Sequence, residues 1–328
     1  MSAKKVFVTR EMLEDGLDLL RKNDIEVEVS PMDRNMTKGE LIEAVAEVDG
    51  LVCLLSNEID ADVIATANRM IVCANYAVGY NNIDITAATE RGILVTNTPG
   101  VLTQATADLT WALLLATARH LVEGDAFMRA GKYGGWGPKL MLGADIAGKT
   151  IGIVGAGRIG RAVGARATGF GMNILYANPH NNEEFETATG AQKVELKELL
   201  RKSDFVTLHV PLTDETRRMI GDEALHMMKP GSYLINTSRG QVVDEDALVR
   251  ALKDGHLAGA GLDVYEREPQ IARGLTELKN VVLAPHTGSA SFETRRKMSI
   301  MVGKNILAAF EGNLPPNCVN PTVFKDNS

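Results

Sequence analysis

The chain has 328 residues, 45% of them hydrophobic, and a formal net charge of −7 at pH 7. That length can bury a large core and points to two domains of an α/β protein. The acidic balance, without a sustained Lys/Arg run, excludes the electrostatic footprint of a nucleic-acid binder and favours small-molecule partners.

The first residues, MSAKKVFVTR, lead straight into a strand-like run, and neither a signal-peptide core nor a transmembrane span follows. Neither secretion nor membrane insertion is expected. Strand-like runs then fall at Val6–Thr9, Glu26–Val29, Leu51–Leu55, Ile71–Asn75 and Leu94–Thr96, each followed by an amphipathic or turn-bounded stretch. They define one parallel-sheet unit. After Asn97-Thr98-Pro99-Gly100, one long apolar helix is expected over Gln104–Leu121. A second series of strands follows, near Thr150–Val154, Asn173–Tyr176, Phe205–His209, Tyr233–Asn236, Gly259–Asp263 and Val281–Ala284. The last helix, about Phe292–Glu311, and the tail Pro315–Pro321 come too late to extend the second sheet and are expected to return to the first domain. Cys53, Cys73 and Cys318 are isolated thiols without metal-like spacing, which fits a reducing cytoplasm and no metal site.

The second series opens on Thr150–Val154 followed by Gly155-Ala156-Gly157-Arg158-Ile159-Gly160 and a helical stretch. Strand before and helix after make this a dinucleotide-binding turn. Gly155 serves the tight turn, Gly157 the approach of a pyrophosphate, and Gly160 the packing of helix on sheet. Past the next strand, Tyr176-Ala177-Asn178-Pro179-His180-Asn181-Asn182 carries no acid before Glu183 and no Arg. An acid there would select NAD, whereas nothing in this loop repels a 2′-phosphate. Asn178 and His180 could donate to one, or could be ordinary turn residues. The cofactor is therefore NADP or NAD, with a slight lean to NADP.

Three loops just beyond strand carboxyl ends carry candidate chemistry, in the place where ligands bind doubly wound sheets. Arg239, in Asn236-Thr237-Ser238-Arg239-Gly240, can fork two donors onto a substrate carboxylate. Glu268, in Asp263-Val264-Tyr265-Glu266-Arg267-Glu268-Pro269, and His286, in Leu283-Ala284-Pro285-His286-Thr287-Gly288, suit an oriented acid-base pair. Singly, each has an ordinary structural use. Together, His286 protonates a carbonyl oxygen, Glu268 orients it and favours its charged form, and Arg239 binds the carboxylate.

These loops, with Val78–Asp84, Thr96–Thr103 and Ala105–Leu109, resemble the D-2-hydroxyacid dehydrogenase family over essentially the whole chain. Ala74–Tyr80, His286–Ser291 and Asn317–Pro321 look most like the glyoxylate and hydroxypyruvate reductases, including the 2-ketoaldonate reductase branch. The resemblance implies a catalytic trio of Arg239, Glu268 and His286, with Val78 and Gly79 presenting N–H groups to the substrate and Leu54 and Ser289 near the pocket. It further implies that Asp263 fixes the nicotinamide carboxamide, Thr106 reaches the phosphate side, and Arg158 and Ile159 meet the pyrophosphate. Asn81 stands where the family usually has Asp.

The expected fold is α/β, with two doubly wound parallel-sheet domains and a cleft between them. A flavodoxin-like substrate domain would use residues 1–99 and 288–328, and a Rossmann cofactor domain residues 100–287. The expected activity is NAD(P)H-dependent reduction of a small 2-oxo acid, by a homodimer built through the apolar 104–121 segment and the 131–137 loop. Dehydrogenases of other 2-hydroxy acids (2-ketogluconate, D-lactate, 3-phosphoglycerate) or of phosphite, and a corepressor-like nucleotide sensor, share the core and remain open alternatives.

Overall fold

Short strands, most of them rich in Val, Ile and Leu and buried on both faces, build two separate parallel sheets. The computed structural model describes residues 3–326. The first unit, up to Leu102 and again from Ala290, holds strands β1 (Lys5–Val8), β2 (Glu26–Val29), β3 (Gly50–Cys53), β4 (Val72–Asn75) and β5 (Leu94–Thr96). Their order is β2-β1-β3-β4-β5, the flavodoxin-like winding that reverses between β1 and β3.

The second unit, Thr103–Ser289, holds β6 (Thr150–Val154), β7 (Asn173–Ala177), β8 (Gln192–Lys193), β9 (Phe205–Leu208), β10 (Ser232–Asn236), β11 (Leu257–Leu262) and β12 (Val281–Leu283). The order β12-β11-β10-β9-β6-β7-β8 is a Rossmann winding extended by one strand, reversing between β6 and β9. The units divide at Leu102/Thr103 and Ser289/Ala290, and the Gly288 N–H is bonded to Asp263 within the second unit. The edge strand β8 was not expected: two residues carry no alternation to read.

The single helix expected over Gln104–Leu121 is two. The first, Thr103–Ala118, is apolar on nearly every side; Trp111 donates its indole N–H to the Val163 carbonyl and stacks on Phe170 at 4.4 Å, tying it to the helix after the glycine turn. It stops because the Ala118 carbonyl is taken by the Ala144 N–H and His120 turns left-handed at φ 51°. A second helix, Leu121–Arg129, then departs with no buried residue.

In the first unit the long helix Phe292–Phe310 crosses the helix Asp15–Arg21 closely, with Ser299 Oγ accepting from the Gly16 N–H at 2.8 Å; a short helix, Thr322–Asp326, follows it. The tail closes the free edge of β5: Val319 donates to Val95 O, and the Asn320 amide accepts from Val95 N–H and donates to Ile93 O. Among the described residues no helix is long and apolar enough to cross a membrane.

Candidate active site

The glycine turn takes the form its spacing requires. Gly155 sits at φ +94°, where a side chain's Cβ would also come within 2.7 Å of the His209 carbonyl, and a Cβ on Gly160 would lie 2.1 Å from the Gly155 carbonyl. Gly157 caps the helix Arg158–Gly169, and nothing lies within 4 Å of where its Cβ would be. An open, side-chain-free helix amino terminus at the reversal point fits a dinucleotide pyrophosphate. Arg158 is exposed beside it and Ile159 half-buried.

The ribose loop is wound on itself. Asn178 donates its amide to the His180 carbonyl at 3.0 Å, so that donor closes the loop, while His180 is exposed. Tyr176 receives the Asn182 N–H on its hydroxyl and donates to Glu186, which keeps the loop short. A cation that no loop motif announced also arrives here. Lys193 lies opposite Tyr176 in the β7–β8 pairing and donates its ammonium to the Pro179 carbonyl at 3.2 Å.

The three chemistry-bearing loops follow β10, β11 and β12, adjacent strands of one sheet edge. His286 Nδ1 lies 2.8 Å from Glu268 Oε2, with both side chains partly exposed. A proton on Nδ1, donated to the carboxylate, leaves Nε2 as the working nitrogen. Glu268 also accepts the Tyr265 N–H on its other oxygen at 3.0 Å. Burial pushes the Glu268 carboxyl up, but the His286 hydrogen bond and charge, the Tyr265 N–H and the Arg239 charge outweigh it, leaving it below the ordinary glutamate range. Burial draws Arg239 down from its usual value, with the Glu268 charge opposing; a guanidinium stays protonated regardless. Its Nη1 donates to Ser238 O at 2.7 Å, and its carbonyl accepts from Asn236 Nδ2 at 2.9 Å, which together set the loop.

Asp263 organises the His286 loop. Its carboxylate accepts from the Thr287 and Gly288 N–H groups, both at 2.7 Å, and its carbonyl from the His286 N–H at 2.9 Å. Those bonds hold His286 at φ +54°, a left-handed conformation that costs about 1 kcal/mol or more and recurs at functional sites. Burial raises the Asp263 carboxyl, and the Thr287 N–H and the His286 charge work against that. Thr106 is buried close by: a Cβ on Gly288 would lie 3.2 Å from Asp263 Oδ2 and 3.4 Å from Thr106 Cγ2. Ser289, half-buried, follows directly.

The other substrate candidates belong to the first unit. Leu54 follows β3, and Val78 and Gly79 follow β4. The Val78 carbonyl accepts from Asn97 Nδ2 at 2.7 Å and the Gly79 carbonyl from Asn75 Nδ2 at 2.8 Å. With the carbonyls tethered, no hydrogen bond among the described residues occupies either N–H. Asn82 links both loops, donating to Leu54 O and accepting from Asn75, while Asn57 receives the Leu54 N–H and the Thr9 hydroxyl. These asparagines were not expected as site-builders; their repetition after successive strands was the available signal. Asn81 is exposed.

A Rossmann sheet with an open glycine turn, a half-buried arginine and a histidine–carboxylate pair on one edge defines a nicotinamide-linked dehydrogenase. Residues 111–288 match the family model described as D-isomer specific 2-hydroxyacid dehydrogenase, NAD binding domain. A glyoxylate reductase of Thermococcus litoralis is 52% identical over 324 residues, covering 98% of each chain. A solved Thermus thermophilus structure superposes with TM-score 0.90 at 46% identity, covering 96% of this chain and 99% of that one. The NADPH-dependent glyoxylate/hydroxypyruvate reductase of Sinorhizobium meliloti, solved with NADP and malonate, gives 0.85 at 32% identity over 98% of each chain. The chain belongs to the D-isomer specific 2-hydroxyacid dehydrogenase family and is an oxidoreductase.

Proposed function

We propose that this enzyme reduces a small 2-oxo acid, glyoxylate or hydroxypyruvate, to the D-2-hydroxy acid, with His286 as the proton donor. The observation that carries the reading is the 2.8 Å pair of His286 Nδ1 and Glu268 Oε2 on the strand edge that also presents Arg239. The names of the similar proteins, glyoxylate reductase and glyoxylate/hydroxypyruvate reductase, support the substrate class. NADPH or NADH, held at Gly155, Gly157, Arg158, Ile159, Gly160, Thr106 and Asp263, supplies the hydride. Arg239 holds the substrate carboxylate, and the N–H groups of Val78 and Gly79 are proposed carboxylate donors of the first unit, with Leu54 beside them. His286 gives its Nε2 proton to the 2-oxo oxygen, and Glu268 stabilises the imidazolium before transfer. Parallel initial rates with glyoxylate, hydroxypyruvate, pyruvate and 2-ketogluconate test the substrate reading. The first two should turn over fastest; preference for either of the others overturns it.

The cofactor reading leans to NADPH on Lys193, the ammonium that reaches the acid-free ribose loop. Lys193→Ala should lower kcat/KM for NADPH by about tenfold and leave NADH within about twofold, since the charge-assisted contact to phosphate is made only with NADPH, while the Pro179 contact is lost alike for both. Equal effects on both cofactors would remove Lys193 from the reading.

A homodimer is the proposed assembly. On the 121–142 segment, Leu121 is 66%, Trp136 83% and Leu142 69% exposed, more apolar surface than an isolated chain usually shows. Light scattering should report twice the 35.4 kDa chain mass, and a species of 35.4 kDa at micromolar concentration contradicts it. The free thiols Cys53, Cys73 and Cys318 favour a reducing cytoplasm as the setting.

A further inference from the structure

Glu245 is a carboxylate that the chemistry above does not use, and it is only 5% exposed. It stands in the first turn of the helix Glu245–Lys253, where any acid gains from the helix dipole. That gain does not require burial. Its neighbour Asp246 occupies the same turn from solvent, and Asp244 already caps the helix by accepting the Ala247 N–H at 2.9 Å. A buried carboxylate is costly unless hydrogen bonds satisfy it. One comes from the loop above it: Glu245 Oε1 accepts the Glu266 N–H at 2.8 Å. Burial still pushes the Glu245 carboxyl above the ordinary glutamate range, with the Glu266 and Ala272 backbone N–H groups working against it.

Those two N–H groups bracket Glu268. Between them the chain makes a tight turn, with Gln270 donating to Arg267 O at 2.8 Å. The same Tyr265–Glu266 peptide is pressed from its other side by the Arg239 loop: a Cβ on Gly240 would lie 1.9 Å from the Tyr265 carbonyl carbon and 2.3 Å from Glu266 N. Arg218 adds an ion pair to the Glu266 side chain at 2.5 Å, and the Tyr265 hydroxyl reaches Ala284 O at 2.8 Å, where the His286 loop starts. The peptide that leads into Glu268 is thus held between Gly240 and Glu245.

We propose that Glu245 is a positioning residue for the proton-donor pair: its buried carboxylate staples the Glu266 foot of the 266–272 loop and so fixes Glu268 against His286. The inference rests on the reading of His286 and Glu268 as that pair. With the staple cut, Glu268 holds the imidazolium less well, and the alkaline limb of the reduction profile moves to lower pH.

The experiment compares Glu245→Gln, Glu268→Gln and the double variant by pH-dependent kcat for glyoxylate reduction. Glu245→Gln is near-isosteric and keeps an acceptor oxygen for the Glu266 N–H, but it removes the charge that strengthens that bond. It should lower kcat by about tenfold and move the alkaline midpoint down, with the cofactor KM within about twofold; in the Glu268→Gln background it should change kcat by less than about twofold. An unmoved midpoint, or the same fold-loss in both backgrounds, overturns the inference, because a merely structural residue behaves that way. If Glu268→Gln keeps parental kcat, the reading of the pair fails; if Glu268→Gln is impaired and Glu245→Gln is not, only the role of Glu245 fails. Should Glu245→Gln not accumulate, Glu245→Asp, which keeps the charge but shortens its reach, is judged by the same criteria.

Discussion

His286→Gln is expected to lower kcat for glyoxylate reduction by about 10³-fold while cofactor binding stays within about twofold of the parent. The reason is local. Glutamine fills the imidazole's space and can still donate to Glu268, but it brings no transferable proton to the 2-oxo oxygen. The pH profile provides the sharper check. In the parent, reduction falls as His286 gives up its proton on the alkaline side, and oxidation falls as it takes one up. The acid side is governed by Glu268, whose folded carboxyl lies below the ordinary glutamate range. Its support of the imidazolium is therefore present above the unfolded value and is lost only as pH drops through the lowered one. His286→Gln should abolish the alkaline limb of reduction. Stopped-flow or steady-state rates from acid to alkaline pH measure this, and an alkaline limb unchanged in the variant removes His286 from the role.

Arg239→Lys is expected to lower kcat/KM for glyoxylate by about 10²-fold, a loss of about 2–3 kcal/mol in transition-state binding. Charge is conserved, so Coulomb attraction alone would predict a small effect. The guanidinium, however, donates from Nη1 to Ser238 O, and it is a rigid fork whose planar geometry an ammonium cannot reproduce. Glyoxylamide, which lacks the carboxylate, supplies the control. The variant should lose discrimination between acid and amide, and an equal loss on both would show that Arg239 acts on the fold of its loop instead.

Much of this molecule was legible before its structure, for identifiable reasons. Most of the strands, such as β3, β4, β6, β9 and β10, are short apolar runs bounded by turn residues, and burial on both faces makes such runs continuous in hydrophobicity; β2, Glu-Val-Glu-Val, is legible instead by its alternation. The glycine turn was readable because Gly155 and Gly160 are each fixed by a close backbone approach. What failed was what neighbours in space decide. His120 ends a helix whose composition would continue it, because the Ala144 N–H competes for the carbonyl of Ala118. Lys193 serves a loop that ends more than ten residues earlier, through strand pairing that no periodicity encodes. Glu245 looks like any first-turn acid until the 263–272 loop folds over it. Asn178, which suited either a cofactor donor or a turn residue, makes a turn bond from its amide to the His180 carbonyl.

The most direct test of the account is product formation: the purified enzyme with glyoxylate and reduced cofactor, NADPH and NADH in parallel, with glycolate quantified against cofactor oxidised. Rapid turnover yielding one glycolate per cofactor is the predicted result. Tight cofactor binding without glycolate would contradict it, and would make the site of Arg239, Glu268 and His286 that of a nucleotide-sensing protein.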